Sequence, residues 1–169
     1  MTQPAVPPDT YARATAYTDV FDRIDALLEG ETDWIAAMAT VACELHHTFD
    51  YYDWTGFYRA VLDDLLVVGP YQGSHGCLRI PFDRGVCGAA ARTRETQFVP
   101  DVEEAADHIA CSSSTRSEVV VPVTTPDGQL LAVLDIDSDT LDAFTETDTQ
   151  MLEQLATRLG EQFASTEQR

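Results

Sequence analysis

The chain has 169 residues, with 29 acidic against 10 basic side chains and a formal net charge of −19, and its length suits one domain burying well over half of its unfolded surface. So acidic a surface repels nucleic acid and anionic lipid, both of which are held through cationic contacts. No run of ~18 or more apolar residues is present to cross a membrane.

The N-terminal MTQPAVPPDTY has neither a basic region nor an apolar stretch and does not read as a secretory leader. Pro4, Pro7 and Pro8 make residues 1–8 a loose arm, leaving 9–165 as the expected single domain. Between 11 and 29, Ala14, Tyr17, Phe21, Ile24 and Leu28 recur at helical spacing, and Gly30 suits the residue after the helix. Thr32 or Asp33 can cap a second helix with Trp34, Ile35, Met38, Val41, Ala42 and Leu45 on one stripe. Cys43, His46 and His47 on that helix read as structural, the imidazoles suiting its C-terminal dipole.

The period then changes. Residues 52–60 and Leu65–Tyr71 predict a hairpin turning at Asp63-Asp64, followed by a loop, QGSHG, at 72–76. Cys77–Pro81 reads as extended and Gly85–Thr93 as a small helix in which Gly85 and Gly88 permit close backbone approach. Gln97–Val99 is a short strand, and 101–117 a polar loop with a helical turn. Glu118–Thr124 and Gln129–Ile136 are strands joined by Pro126-Asp127-Gly128. Thr145 to Asp148 forms a capping box in its aspartate variant, opening a helix with Met151, Leu152, Leu155, Leu159 and Phe163 inward. Hairpin-linked strands with helices before, within and after them predict an α+β fold, an antiparallel sheet with helices packed on it.

The four cysteines are Cys43, Cys77, Cys87 and Cys111. Without an export signal they suit a reducing compartment and thiol chemistry more than a structural disulfide framework. No C-x-x-C pair occurs, and His46 and His47 lie next to Cys43 but far in sequence from the other thiols, so no metal site is expected. Cys111 sits in the polar loop HIACSSS, where catalytic groups concentrate. Cys87 lies near the start of the small helix, whose dipole favours a thiolate. Asp135 and Asp137 are two apart on a strand and share a face, with Leu134 and Ile136 on the opposite, core side. Two aspartates so placed repel unless a cation joins them, and the ammonium of a free amino acid is one such cation. Trp54 and Tyr58 also share a strand face and can wall a small apolar group.

The motifs WTGFY (54–58), GPYQG (69–73), CLRIP (77–81), GVCGAA (85–90), HIACSS (108–113), SEVVVP (117–122) and VLDIDS (133–138) are the densest signal in the chain. Together they closely resemble the free methionine-R-sulfoxide reductases, a family built on the GAF fold, over about residues 50–158. That resemblance implies a central antiparallel sheet flanked by helices and the reduction of free methionine-(R)-S-oxide by thiols. It implies Cys111 as the attacking residue and Cys77 as the resolving one, with Cys87 an auxiliary resolver or a rival nucleophile. Glu118 and Asp137 resemble the groups that hold and protonate the sulfoxide oxygen, Asp135 an ammonium contact, and Trp54 the apolar wall. Arg79 and Arg116 could meet the substrate carboxylate, in competition with backbone N–H groups of 112–116. The same resemblance implies no resident cofactor, an external thioredoxin-like reductant and a homodimer.

The chemistry agrees with the residues. A thiolate is the nucleophile suited to sulfur, the oxygen is retained as a sulfenic acid, and a second thiol condenses with it. Binding both the ammonium and the carboxylate would reject a methionine within a peptide. The competing readings are a non-catalytic GAF small-ligand sensor and a redox switch in which Cys77 and Cys111 report peroxide. All ten bases are arginine, and this arginine-only, acid-rich composition resembles cytoplasmic proteins of salt-accumulating archaea, where strong salt screens self-repulsion.

Overall fold

The computed structural model describes residues 10–105 and 113–165. The predicted arm, the tip of the 101–117 loop including Cys111, and the last four residues lie outside them.

The first helical stripe folds as α1 (Thr10–Leu27), burying Tyr17, Val20, Phe21 and Ile24. α2 (Trp34–Thr48) is capped by Asp33, not Thr32: its side chain accepts from the Ala36 N–H at 2.9 Å. Ile35, predicted on the inner stripe, is 42% exposed, and Ala37 is buried instead. One residue on from Trp34 is roughly 100° around the helix, too far to share a face set by Trp34, Met38, Val41 and Leu45.

β1 (Trp54–Leu62) and β2 (Leu65–Gln72) form the predicted hairpin. The first strand starts two residues later than the apolar run suggests. The Tyr52 N–H turns back to the Phe49 carbonyl, and Tyr51 and Tyr52 pack inward on Phe49 and Phe144. β3 (Arg79–Pro81) is shorter than predicted because it pairs only with Leu65–Val67. α3 (Gly85–Thr93) and β4 (Gln97–Val99) lie where the sequence places them. β5 (Ser117–Thr124), β6 (Leu130–Ser138) and α4 (Glu146–Gln162) complete the chain. The strands make one antiparallel sheet in the order β3-β2-β1-β6-β5-β4.

Strand alternation divides the sheet into two faces. One carries Phe57, Val119, Val121, Leu134 and Ile136 and is packed by α1, α2 and α4 into the main core. The other carries Trp54, Tyr58, Val120 and Val133 and is covered by α3 through Val86, Cys87, Ala90 and Ala91. α3 can sit close because Gly88 has no side chain: a Cβ there would stand 2.7 Å from the Pro81 carbonyl oxygen. Gly85, by contrast, is needed for its positive φ of 76°.

Buried beside the main core, Asp148 does more than the predicted cap. Its carboxylate accepts from the Thr145 N–H at 2.7 Å, completing the capping box, and also from the Tyr51 and Tyr17 hydroxyls at 2.7 and 2.9 Å. Arg13, 2% exposed, pairs with the same carboxylate and ties α1 to α4.

Candidate active site

The register assembles the site. Glu118 on β5 lies opposite Asp137 on β6, which lies opposite Trp54 on β1. One step along the same face, Val120, Asp135 and Gly56 stand abreast; a further step brings Pro122, Val133 and Tyr58 abreast. Residues separated by up to 83 positions thus form a carboxyl-rich patch beside an aromatic wall. α3 lowers Cys87 onto it: the Cys87 sulfur and one oxygen each of Glu118 and Asp135 lie within 4.8 Å of one another. Leu134 and Ile136 face the opposite core, as the two-residue period requires.

The wall is built on glycines. Trp54 and Tyr58 stack at 5.6 Å between centroids, and Trp54 stacks on Tyr71 at 5.3 Å. Gly56 lies between Trp54 and Tyr58 in sequence, and a Cβ there would stand 2.3 Å from the Tyr71 Cβ and 2.6 Å from the Trp54 ring. At Gly76 a Cβ would stand 2.8 Å from the Tyr58 hydroxyl. The Trp54 indole N–H donates to the Ser74 carbonyl at 2.9 Å, strapping the 73–77 loop to the wall. Gly56→Ala should therefore cost about 2–3 kcal/mol through overpacking and displace Trp54. Urea unfolding would measure the loss, and a changed near-UV circular dichroism signal at pH 7 would report the indole.

The electrostatics are those of acids starved of water and of cations. Among the described residues, no ion pair reaches Glu118, Asp135 or Asp137. Burial pushes the Asp135 carboxyl up to about 7, against hydrogen bonds from Cys87, Glu118 and the Ile136 backbone that pull it down. Burial and the two neighbouring aspartates push Glu118 well above the ordinary range. Glu118 and Asp135 are hydrogen-bonded to one another and titrate together, a pair that holds a proton more tightly than an isolated carboxyl does. Asp137, half-buried at the edge, is pushed up by loss of solvent and then by Asp135. The Asp135 Oδ1 atom is buried without a hydrogen-bond partner.

These shifts make a stability prediction. A carboxyl whose folded value is raised stabilises the fold below its unfolded value of 3.8, and that contribution is lost as pH rises through about 7 for Asp135. Glu118→Gln cannot take up the extra proton and should flatten this loss. The expected result is a smaller decline in urea midpoint from pH 5 to pH 8 in the variant than in the wild type.

The cysteines divide. Cys77 is disulfide-bonded, while Cys43 and Cys87 are free thiols. Cys77 packs at the margin of the α3-side cluster, and its backbone N–H faces the Tyr58 hydroxyl. Cys87 is 4% exposed, and burial together with Asp135 and Glu118 pushes its thiol well up. The thiolate that a helix start favours is thus opposed by the surroundings. Arg79 and Arg116 are exposed, and among the described residues neither forms an ion pair with the carboxyls. The sequence reading missed Tyr71, Gly56 and Gly76 as parts of the wall. A glycine inside a strand was the available signal for close approach.

Residues 33–163 match the GAF domain family. The chain is 40% identical over 151 residues to the free methionine-R-sulfoxide reductase of Escherichia coli (strain K12), covering 89% of this chain and 90% of that protein. It is 39% identical over 138 residues to the Saccharomyces cerevisiae protein of the same name, covering 78% and 77% of the two chains. The X-ray structure of free methionine-R-sulfoxide reductase from Neisseria meningitidis in complex with its substrate superposes with a TM-score of 0.86 at 42% identity, covering 96% of each chain.

Proposed function

The chain belongs to the GAF domain family and, within it, to the free methionine-R-sulfoxide reductases, and from that membership we propose that it reduces free L-methionine-(R)-S-oxide to L-methionine. The observation that carries this reading is the row of Glu118, Asp137 and Trp54 across three strands, with the unpartnered Asp135 oxygen beside it. A small zwitterion with a methyl-sulfoxide end fits such a site. The aromatic wall takes the methyl group, Asp135 takes the ammonium, and protonated Glu118 with Asp137 holds the oxygen.

In the proposed reaction the Cys111 thiolate attacks the sulfoxide sulfur. Protons supplied from the Glu118 side complete the oxygen transfer, methionine leaves, and Cys111 remains as a sulfenic acid. The Cys77 thiol attacks that sulfenic sulfur, water departs, and a disulfide joins the two residues. An external dithiol of thioredoxin type exchanges with the disulfide and restores both thiols. The Cys77 disulfide and the free state of Cys43 and Cys87 support this pairing. A raised Cys87 thiol supports Cys111 over Cys87 as the attacking group. On this reading the protein has no resident cofactor, works in a reducing compartment such as the cytoplasm, and forms a homodimer.

The test is NADPH oxidation in molar KCl with thioredoxin, its reductase and resolved free methionine sulfoxide epimers. Turnover of the R-epimer alone is the expected result. Oxidation by peroxide without methionine release would replace this reading with that of a redox sensor.

A further inference from the structure

Cys87 has no step in the reaction proposed above, yet it is buried against two carboxyls by three separate elements. Its sulfur, a Glu118 oxygen and an Asp135 oxygen lie within 4.8 Å of one another, and the three residues are 4, 6 and 5% exposed. We propose that these three side chains form a binding site for a thiophilic divalent cation of the zinc class, which excludes substrate from the same carboxyls. The exclusion of substrate rests on the reductase reading; the binding of the cation does not.

The donor set carries the choice of cation. One thiolate with two carboxylates is a mixed soft and hard set, which zinc accepts and which magnesium or calcium, bound through oxygen alone, does not favour. Three protein ligands leave a fourth tetrahedral position for water. A second, independent observation points to a missing ligand: Asp135 Oδ1 is a buried carboxyl oxygen without a hydrogen-bond partner, in a residue that is 5% exposed. Among the described residues no cationic side chain pairs with Glu118 or Asp135, so a dication would meet charge that the protein does not itself neutralise. Binding moves no electrons. The cation displaces the Cys87 thiol proton and the Glu118 carboxyl proton to solvent, and forms one bond to sulfur and two to oxygen.

Sequence spacing hides this site. Positions 87, 118 and 135 match no zinc ligand pattern, because the ligands come from α3, β5 and β6 and meet only through sheet register and the seating of α3 on Gly88.

The experiment uses the full chain with its Cys77 disulfide intact, stripped of metal and titrated with Co2+. One equivalent should produce a cobalt–thiolate charge-transfer band and the intense visible absorption of tetrahedral cobalt, both erased by Zn2+. Cys87→Ser should abolish the thiolate band, and Cys43→Ser should leave it unchanged. Asp135→Asn should weaken zinc binding by ~100-fold or more, since even residues behind the ligands are worth ~10–100-fold at metal sites; this variant decides the matter if Cys87→Ser does not fold. Free methionine-R-sulfoxide should raise the apparent cobalt dissociation constant. Absence of the band, or a band surviving Cys87→Ser and lost in Cys43→Ser, overturns the site even if the metal-free protein reduces methionine sulfoxide. A band indifferent to substrate in a protein that turns substrate over overturns the exclusion. A Cys87-dependent band in a protein without turnover upholds the cation site while removing the reductase reading.

Discussion

Cys111→Ser is expected to lower turnover of free methionine-R-sulfoxide by ~10^4-fold or more, the scale of losing a covalent nucleophile. A serine hydroxyl is ionised too weakly and is too hard to attack sulfur. Cys77→Ser should behave differently. Steady-state turnover with thioredoxin should collapse, because no disulfide forms for the reductant to exchange with. The first chemical step should survive and release about one methionine per site in a rapid-quench experiment, an estimate that follows from one sulfenic acid per attack. The pair of variants thus separates attack from resolution. A missing first turnover in Cys87→Ser, with Cys111→Ser active, would exchange the two roles. That outcome would also require the buried Cys87 thiol to ionise against Asp135 and Glu118, which its surroundings oppose.

The largest effect on stability is expected at Asp148. Asp148→Ala removes the partner of a buried arginine, the acceptor of two tyrosine hydroxyls and the N-cap reciprocal bond in one change. Stripping one member of a buried ion pair costs about 3–5 kcal/mol, because the remaining charge stays away from water. At roughly 2–4 °C per kcal/mol for a chain of this size, the melting temperature should fall by about 10 °C or more. Arg13→Met combined with Asp148→Leu should recover much of that loss, since replacing both charges leaves neither buried alone. A double variant as unstable as Asp148→Ala would show that the tyrosine hydroxyl bonds, and not the ion pair, hold α1 to α4.

Local pattern carried much of the fold into view. The two-residue period of VLDIDS put Asp135 and Asp137 on one face and Leu134 and Ile136 on the other, and the structure keeps that division. The limits of α3 and β4 were legible because Gly85, Thr93 and Pro100 punctuate them. The start of β1 was not: Tyr51 and Tyr52 look like strand residues, and only their packing against Phe49 and Phe144 bends them out of the sheet. Arg13 gave no signal of burial, since nothing near it in sequence foretells a carboxylate from a helix more than a hundred residues away.

The sequence by itself determined the chemical inventory: three cysteines in motif context, a same-face pair of aspartates, an aromatic pair four residues apart, and a strongly acidic composition. These follow from residue type and short-range periodicity, which one strand or helix is enough to express. Only the tertiary structure decided that Glu118 faces Asp137, that Cys87 descends on Glu118 and Asp135, and that burial raises these carboxyls. Those outcomes depend on register between strands and on exclusion of water. Both arise when distant segments pack, and neither is encoded in any window of neighbouring residues.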